Sequence, residues 1–317
     1  MRRFLAGVLA SVALLGACGG GDDDAAETPD PPRETDAPTT TTTRPERYET
    51  EIREETYVDA SRPTKANGEF AGAPDRTLRV VFHVPQGDGP FPVVLFSHGW
   101  IATPEIYAPI ATQIAEAGYL VVAPAYPLSN GAAPGGPIVG DVLNQPVDAS
   151  FVLDQVLAAS GDEASWLHGL ADAEHVAAGG HSLGGFTTMG FFNSCCTDDR
   201  IDAAFAVAGN MPGYEGTPYE GIDTPILLIH GDQDELVPYA RSEAIYADAN
   251  PPKYFLTLLG GKHAPFATEP AGEQVQIGVA VMLDFLDGYL RGNETALTDM
   301  TEIGNVEGVS TFVEETT

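Results

Sequence analysis

The chain has 317 residues, and its 46 Asp and Glu against 15 Lys and Arg give a formal charge of −31. That excess of negative charge argues against nucleic acid as a partner, because a polyphosphate would be repelled rather than neutralised. An acidic surface favours solubility, and roughly 250 residues outside the terminal segments are enough for one large domain with a substantial core.

Arg2 and Arg3 precede a short apolar stretch from Phe4 to Leu15, which closes on Leu15-Gly16-Ala17-Cys18. Twelve apolar or small residues are too few to span a bilayer, so residues 1–17 read as an export signal. The last four resemble a bacterial lipobox, in which Cys18 receives lipid and becomes the new N-terminus. An ordinary cleavable signal with an incidental cysteine is the alternative. The signal holds two of the basic residues and no acid, which leaves the mature chain at a formal −33. Residues 18–50 contain Gly19 to Gly21, Asp22 to Asp24, several prolines and a threonine run from Thr39 to Thr43. Such a segment cannot bury enough apolar surface to offset its ordering entropy, so a disordered acidic tether is expected.

The folded domain is expected over residues 51–292. Residues 78–84 are the first clear strand, and Val93-Val94-Leu95-Phe96 is a fully apolar run of the kind that a central parallel strand needs. Thr103-Pro104-Glu105 opens a helix to about residue 117, with Ile106, Ile110 and Ile114 at helical spacing. A strand over 119–123, a Gly- and Pro-rich loop over 127–140 and a helix over 148–159 follow. After residue 200 the pattern predicts strands over 203–208, 226–229 and 254–259, and helices over 239–247 and 273–289. Strands repeatedly separated by helices imply an α/β fold, with a mostly parallel central sheet covered by helices on both faces. Residues 293–317 hold acids and no Lys or Arg, and read as a loosely packed acidic tail.

Between residues 176 and 190 a short apolar run, Val176 to Ala178, meets Gly180-His181-Ser182-Leu183-Gly184, and a helical stretch follows. Strand, Gly-x-Ser-x-Gly and helix together form the context of a nucleophile elbow, in which a tight turn presents the serine hydroxyl. The motif alone is common enough to arise by chance, so its partners decide. A serine hydroxyl needs a base to take its proton, and the base needs an acid to hold its tautomer. In chain order after such an elbow, the acid comes before the histidine. His230-Gly231-Asp232-Gln233-Asp234 follows one predicted strand and offers Asp234 as the acid, with Asp232 as the alternative. Gly260-Gly261-Lys262-His263 follows the last predicted strand and offers His263 as the base. Of the other histidines, His181 reads as a packing residue and His98 and His230 as loop-binding residues, while His83, His168 and His175 fall in no motif. The oxyanion hole needs two backbone amides, expected at Leu183, after the nucleophile, and at Trp100, after His98-Gly99. Trp100, Met211 and Phe266 are the expected substrate-binding side chains.

Adjacent cysteines close a disulfide ring only rarely, so Cys195 and Cys196 are expected as two thiols. Neither has a histidine at metal-ligating spacing, and no metal or other cofactor is expected.

Residues 78–290 resemble the α/β-hydrolase superfamily. The segments Leu95-Phe96-Ser97-His98-Gly99, Gln145-Pro146-Val147-Asp148-Ala149-Ser150-Phe151-Val152-Leu153-Asp154, Gly180-His181-Ser182-Leu183-Gly184-Gly185 and Cys195-Cys196 are similar to a narrower group. It contains bacterial relatives of platelet-activating-factor acetylhydrolase, predicted dienelactone hydrolases and cutinase-like polyester hydrolases. The resemblance implies Ser182 as nucleophile, Asp234 as acid, His263 as base, and the Trp100 and Leu183 amides as oxyanion donors. The polyester hydrolases have an aromatic residue at the position of Trp100. They commonly carry Trp in place of His181 and Met in place of Leu183, so the chain departs from them there. Dienelactone hydrolases proper use a cysteine nucleophile, and Ser182 argues against that activity.

The expectation is a serine carboxylic-ester hydrolase acting on short-to-medium acyl or aromatic esters, extending to polyesters. It should be a monomer with no large lid domain, either held to the cell membrane through Cys18 or released outside the cell. A serine peptidase on the same fold and a non-catalytic surface-binding lipoprotein are the alternatives.

Overall fold

A computed structural model describes residues 47–317. The export signal, Cys18 and residues 19–46 of the expected tether lie outside the described residues. In chain order the strands are β1 (Thr50–Asp59), β2 (Arg76–Pro85), β3 (Phe91–Ser97), β4 (Leu120–Ala125), β5 (Ala171–His181), β6 (Ala203–Val207), β7 (Ile226–Gly231), β8 (Lys253–Leu258) and β9 (Ser310–Glu315). The helices are α1 (Ala108–Glu116), α2 (Gln145–Ser160), α3 (Leu183–Gly190), α4 (Ala240–Asp248), α5 (Pro265–Thr268), α6 (Glu273–Arg291) and α7 (Glu294–Gly304). The strands form one sheet in the order β1-β2-β4-β3-β5-β6-β7-β8-β9. Strands β4, β3, β5, β6, β7 and β8 pair in parallel, and β1, β2 and β9 add antiparallel edges.

Both faces of the parallel strands are buried, which is why they read as unbroken apolar runs. Alternation sends Val93 and Leu95 of β3 into one core cluster, and Val94 and Phe96 into the other. The first cluster also holds Val152 and Val156 of α2 and Ile245 of α4. The second holds Ile110 and Ile114 of α1, with Val275, Val279, Met282 and Phe285 of α6. The helical spacing seen in those sequences is therefore the imprint of one face lying on the sheet.

A buried ionic cluster joins the start of β2 to α2. The Arg76 guanidinium, 1% exposed, donates from Nε to Asp148 Oδ1 at 2.7 Å and from an Nη to Asp141 Oδ2 at 3.0 Å. Arg62 adds a second bond to Asp148 Oδ1 at 2.7 Å, and is itself paired with Asp59 at the end of β1. Three carboxylates buried together are tolerable because two guanidiniums offset most of their charge and bind their oxygens.

Two boundaries differ from expectation. Residues 47–50, expected in the tether, belong to the fold: Tyr48 N–H donates to Glu116 O at 2.8 Å, Arg47 pairs with Glu116, and Thr50 begins β1. Strand β1 carries no apolar run because it is an exposed edge, with charged Glu51, Arg53 and Glu55 at alternate positions. The expected loose tail over 293–317 is corrected as well. Helix α7 buries Met300 completely, and β9 pairs along the whole of β8. Phe312, 6% exposed, stacks on Tyr254 with ring centroids 6.0 Å apart. The acidic residues that suggested a tail occupy the outward positions of an amphipathic helix and an edge strand. Phe312→Ala should therefore lower the unfolding free energy by about 3 kcal/mol, read by urea denaturation. A loss within experimental error of zero would restore the loose tail.

His83 and His98 are buried as neutral rings, and burial lowers each pKa to about 4. His83 Nδ1 meets Thr112 Oγ1 at 3.0 Å, while its Nε2 has no hydrogen-bond partner among the described residues. An unfolded chain protonates both rings near pH 6.5, and the folded protein does not until about pH 4. Their contribution to stability is whole above pH 6.5 and is lost as the pH falls toward 4. Urea denaturation should show stability falling over that interval, by about 1.4 kcal/mol per pH unit for each buried histidine. A flat profile between pH 7 and 5 would contradict the burial of neutral histidines.

Candidate active site

Strand β5 and helix α3 are joined by a single residue, Ser182, which takes φ 56° and ψ −121°. A side chain in this region of backbone space costs about 1–3 kcal/mol and persists only where its surroundings hold it. Here the Ser182 N–H is bound to Val207 O of β6 at 2.8 Å, and Ser182 O accepts from Phe186 N–H at 3.0 Å. The flanking glycines are required by packing. A Cβ on Gly184 would stand 1.9 Å from Ser97 O, and one on Gly180 would stand 2.5 Å from that same oxygen. The turn therefore sits directly on the end of β3, and Ser182 Oγ is lifted above the C-terminal edge of the sheet.

The loops after β7 and β8 bring the other two predicted residues to it. Ser182 O–H donates to His263 Nε2 at 2.8 Å, and His263 Nδ1–H donates to Asp234 Oδ2 at 2.6 Å. Asp234 is buried, and its other oxygen accepts the Leu236 and Val237 amides, each at 2.8 Å. Burial opposes its charge, but the bonds from His230, His263, Val237 and Leu236 outweigh that cost and hold the carboxyl well below the usual carboxylate range. Asp232, the alternative acid, instead accepts Gly260 N–H at 2.6 Å and closes the turn between the two loops.

His230 was expected to bind loops, and it does more. Its Nδ1 faces Ser242 Oγ at 2.7 Å, while Nε2–H reaches Val237 O at 3.0 Å and Asp234 Oδ2 at 3.2 Å. It thus shares the Oδ2 oxygen of the carboxylate with His263. His181 is 3% exposed and makes two ring hydrogen bonds, to Tyr107 Oη at 2.8 Å and His263 O at 3.0 Å. Nothing in the sequence marked the role of His181, because its partners lie 74 and 82 residues away in the chain.

Trp100 leaves the end of β3 beside the nucleophile, since a Cβ on the preceding Gly99 would lie 3.4 Å from Ser182 Cβ. Trp100 is 46% exposed, so it stands at the surface rather than packing beneath the loop. Neither the Trp100 nor the Leu183 amide is matched with a protein acceptor among the described residues. Ile101, next in the chain, has φ 59°, unusual for a β-branched residue, and its N–H is held by Ser129 O at 2.9 Å. Ser129 Oγ accepts from Gln145 Nε2 at 2.6 Å, and Gln145 Oε1 accepts the hydroxyl of Thr187 on α3. This chain, completely buried at Ser129, Gln145 and Thr187, ties the elbow helix to the loop that carries Trp100.

Two expected features are corrected. Phe266 is a core residue, 5% exposed, whose ring stacks beneath His181 at 6.1 Å and faces Gly278 of α6. It supports the site from below and forms no wall of it. Cys195 and Cys196 are joined in a disulfide rather than present as two thiols. Asn193 holds both cysteine amides, through Oδ1 at 3.1 Å and its carbonyl at 2.9 Å, and the resulting tight turn brings the sulfurs together. Met211 is partly buried against the core on the α2 side. No helical cap is inserted over residues 208–225 between β6 and β7, so the site is open, as expected.

Comparison with known families agrees with this geometry. A model of the chlorophyllase family matches residues 58–193, and a model of the PET hydrolase-like family matches residues 143–311. The first match ends just beyond the elbow, and the second runs from the start of α2 past Ser182, Asp234 and His263. None of the curated proteins matches the chain. Both families are carboxylic-ester hydrolases of α/β-hydrolase fold. With more than half of its length covered, the chain belongs to the PET hydrolase-like family.

Proposed function

We propose that the protein is a serine carboxylic-ester hydrolase working through an acyl-enzyme. The observation that carries this reading is the unbroken line from Ser182 Oγ through His263 to the buried carboxylate of Asp234. His263 Nε2 takes the Ser182 proton as Oγ attacks the ester carbonyl, and Asp234 holds the imidazole in the tautomer that leaves Nε2 free to accept. The tetrahedral oxyanion is received by the Trp100 and Leu183 amides, the latter at the positive end of α3. The protonated His263 then gives its proton to the departing alkoxide. A water, deprotonated by the same nitrogen, attacks the acyl-enzyme, and collapse returns the proton to Ser182.

The substrates we assign are short-to-medium acyl or aromatic esters. The open mouth and the exposed Trp100 ring support a bulky acyl or aromatic group, and membership of the PET hydrolase-like family supports polyesters as part of the range. Cys18, at the end of a lipobox-like leader, would carry lipid and hold the enzyme to the outer face of the cell membrane.

Hydrolysis of a p-nitrophenyl ester series from acetate to palmitate tests the reading. Activity should be greatest at about two to six carbons. Ser182→Ala should lower kcat by about 10⁴-fold or more while the protein stays folded. A folded wild type without activity on any ester would overturn the assignment. For the anchor, Cys18→Ser should move the protein from the membrane fraction to the soluble fraction, and an unchanged distribution would refute lipidation there.

A further inference from the structure

His181 stands directly before the nucleophile, and its environment is unlike that of a packing residue. Gly99 N–H, in the loop that leads to Trp100, donates to Tyr107 Oη at 3.3 Å. That hydroxyl lies 2.8 Å from His181 Nδ1, and His181 Nε2 lies 3.0 Å from the carbonyl oxygen of His263. The direction of every bond follows from the groups present. A carbonyl only accepts, so Nε2 must carry the proton. The neutral ring then accepts at Nδ1, and Tyr107 spends its one proton there while its lone pair receives Gly99 N–H. Tyr107 and His181 are 2% and 3% exposed, so water does not compete for these bonds. Burial, reinforced by the nearby His263, keeps the ring neutral by pushing its pKa down to about 3. The ring also packs on that of His263, with centroids 4.8 Å apart.

We propose that His181, acting with Tyr107, is a positioning residue that clamps the loop carrying the base and the loop carrying the oxyanion donor to the residue beside the nucleophile. Three separate segments are involved: the loop after β3, the elbow after β5 and the loop after β8. The clamp sets their mutual distances through two neutral side chains, without placing a charge next to the reacting atoms. A base or amide displaced by about 1 Å can cost about 100-fold in rate, so the clamp acts on turnover more than on binding. The proposal rests on the reading of Ser182 as an ester-hydrolysing nucleophile.

The test compares wild type, Tyr107→Phe, His181→Phe, the double variant and His181→Gln on p-nitrophenyl butyrate, with melting curves for each. Ser182→Ala is run beside them. Each Phe substitution should lower kcat by about 10- to 100-fold and change KM by less than about twofold. The double variant should be no slower than the slower single, because both break the same chain of bonds. His181→Gln, whose amide can still donate to the His263 carbonyl, should recover part of the lost kcat. Nitrogen-15 spectra of the histidines provide a readout independent of turnover. In wild type, His181 should carry its proton on Nε2 with Nδ1 bare. Full kcat in the Phe variants, losses that multiply in the double variant, or a proton on Nδ1 would each overturn the clamp. An inactive wild type, or a fully active Ser182→Ala, would overturn the ester-hydrolase reading instead, and the tautomer would still decide the hydrogen-bond chain.

Discussion

The site depends on one close approach of backbone to backbone. The turn from β5 into α3 lies so near the end of β3 that Ser97 O leaves no room for a side chain at residue 184. This contact lets a one-residue turn reverse the chain, and it puts Ser182 in a left-handed conformation that an isolated peptide would not hold. Because β3 also leads into Trp100, the contact that positions Ser182 also brings the loop with the proposed oxyanion donor alongside it. The two functions are coupled through the sheet itself.

Around this contact the protein uses buried polar networks where many enzymes use a lid. The Gln145 bridge joins α3 to the loop under Ile101, and the Arg76 cluster anchors the start of α2, from which Gln145 extends. Each network is fully satisfied, which makes it specific as well as stabilising. Asp234 is treated in the same way: two amides, His230 and His263 occupy its oxygens, so a carboxylate with little access to water remains charged and fixed in direction. The result is a site whose mouth is open while its floor is rigid.

His181, the neighbour of the nucleophile, turns inward to Tyr107 and the His263 carbonyl. The aromatic surface at the mouth is then left to Trp100. The Leu183 side chain is buried, so in the proposed mechanism residue 183 acts through its backbone amide.

Much of this was legible in the sequence, and the reason is local. Central parallel strands must be apolar on both faces, the helices must carry one apolar stripe, and the elbow needs glycine at fixed spacing. All three leave short-range patterns, as do Asp234 and His263, which follow strands directly. What the sequence left open depended on residues far apart in the chain. β1 and β9 are edge strands whose partners, and not their own alternation, make them strands. Phe266 follows His263 closely, yet its burial was decided by Gly278 on α6, which packs directly against its ring. His181 could not be told from a packing residue until Tyr107 and His263 were brought to its two nitrogens. The sequence by itself determined the fold class, the elbow and the order of the catalytic residues, because each is written in neighbouring positions. Only the tertiary structure decided what holds those residues in place, because hydrogen bonds between distant segments leave no periodic trace in the chain.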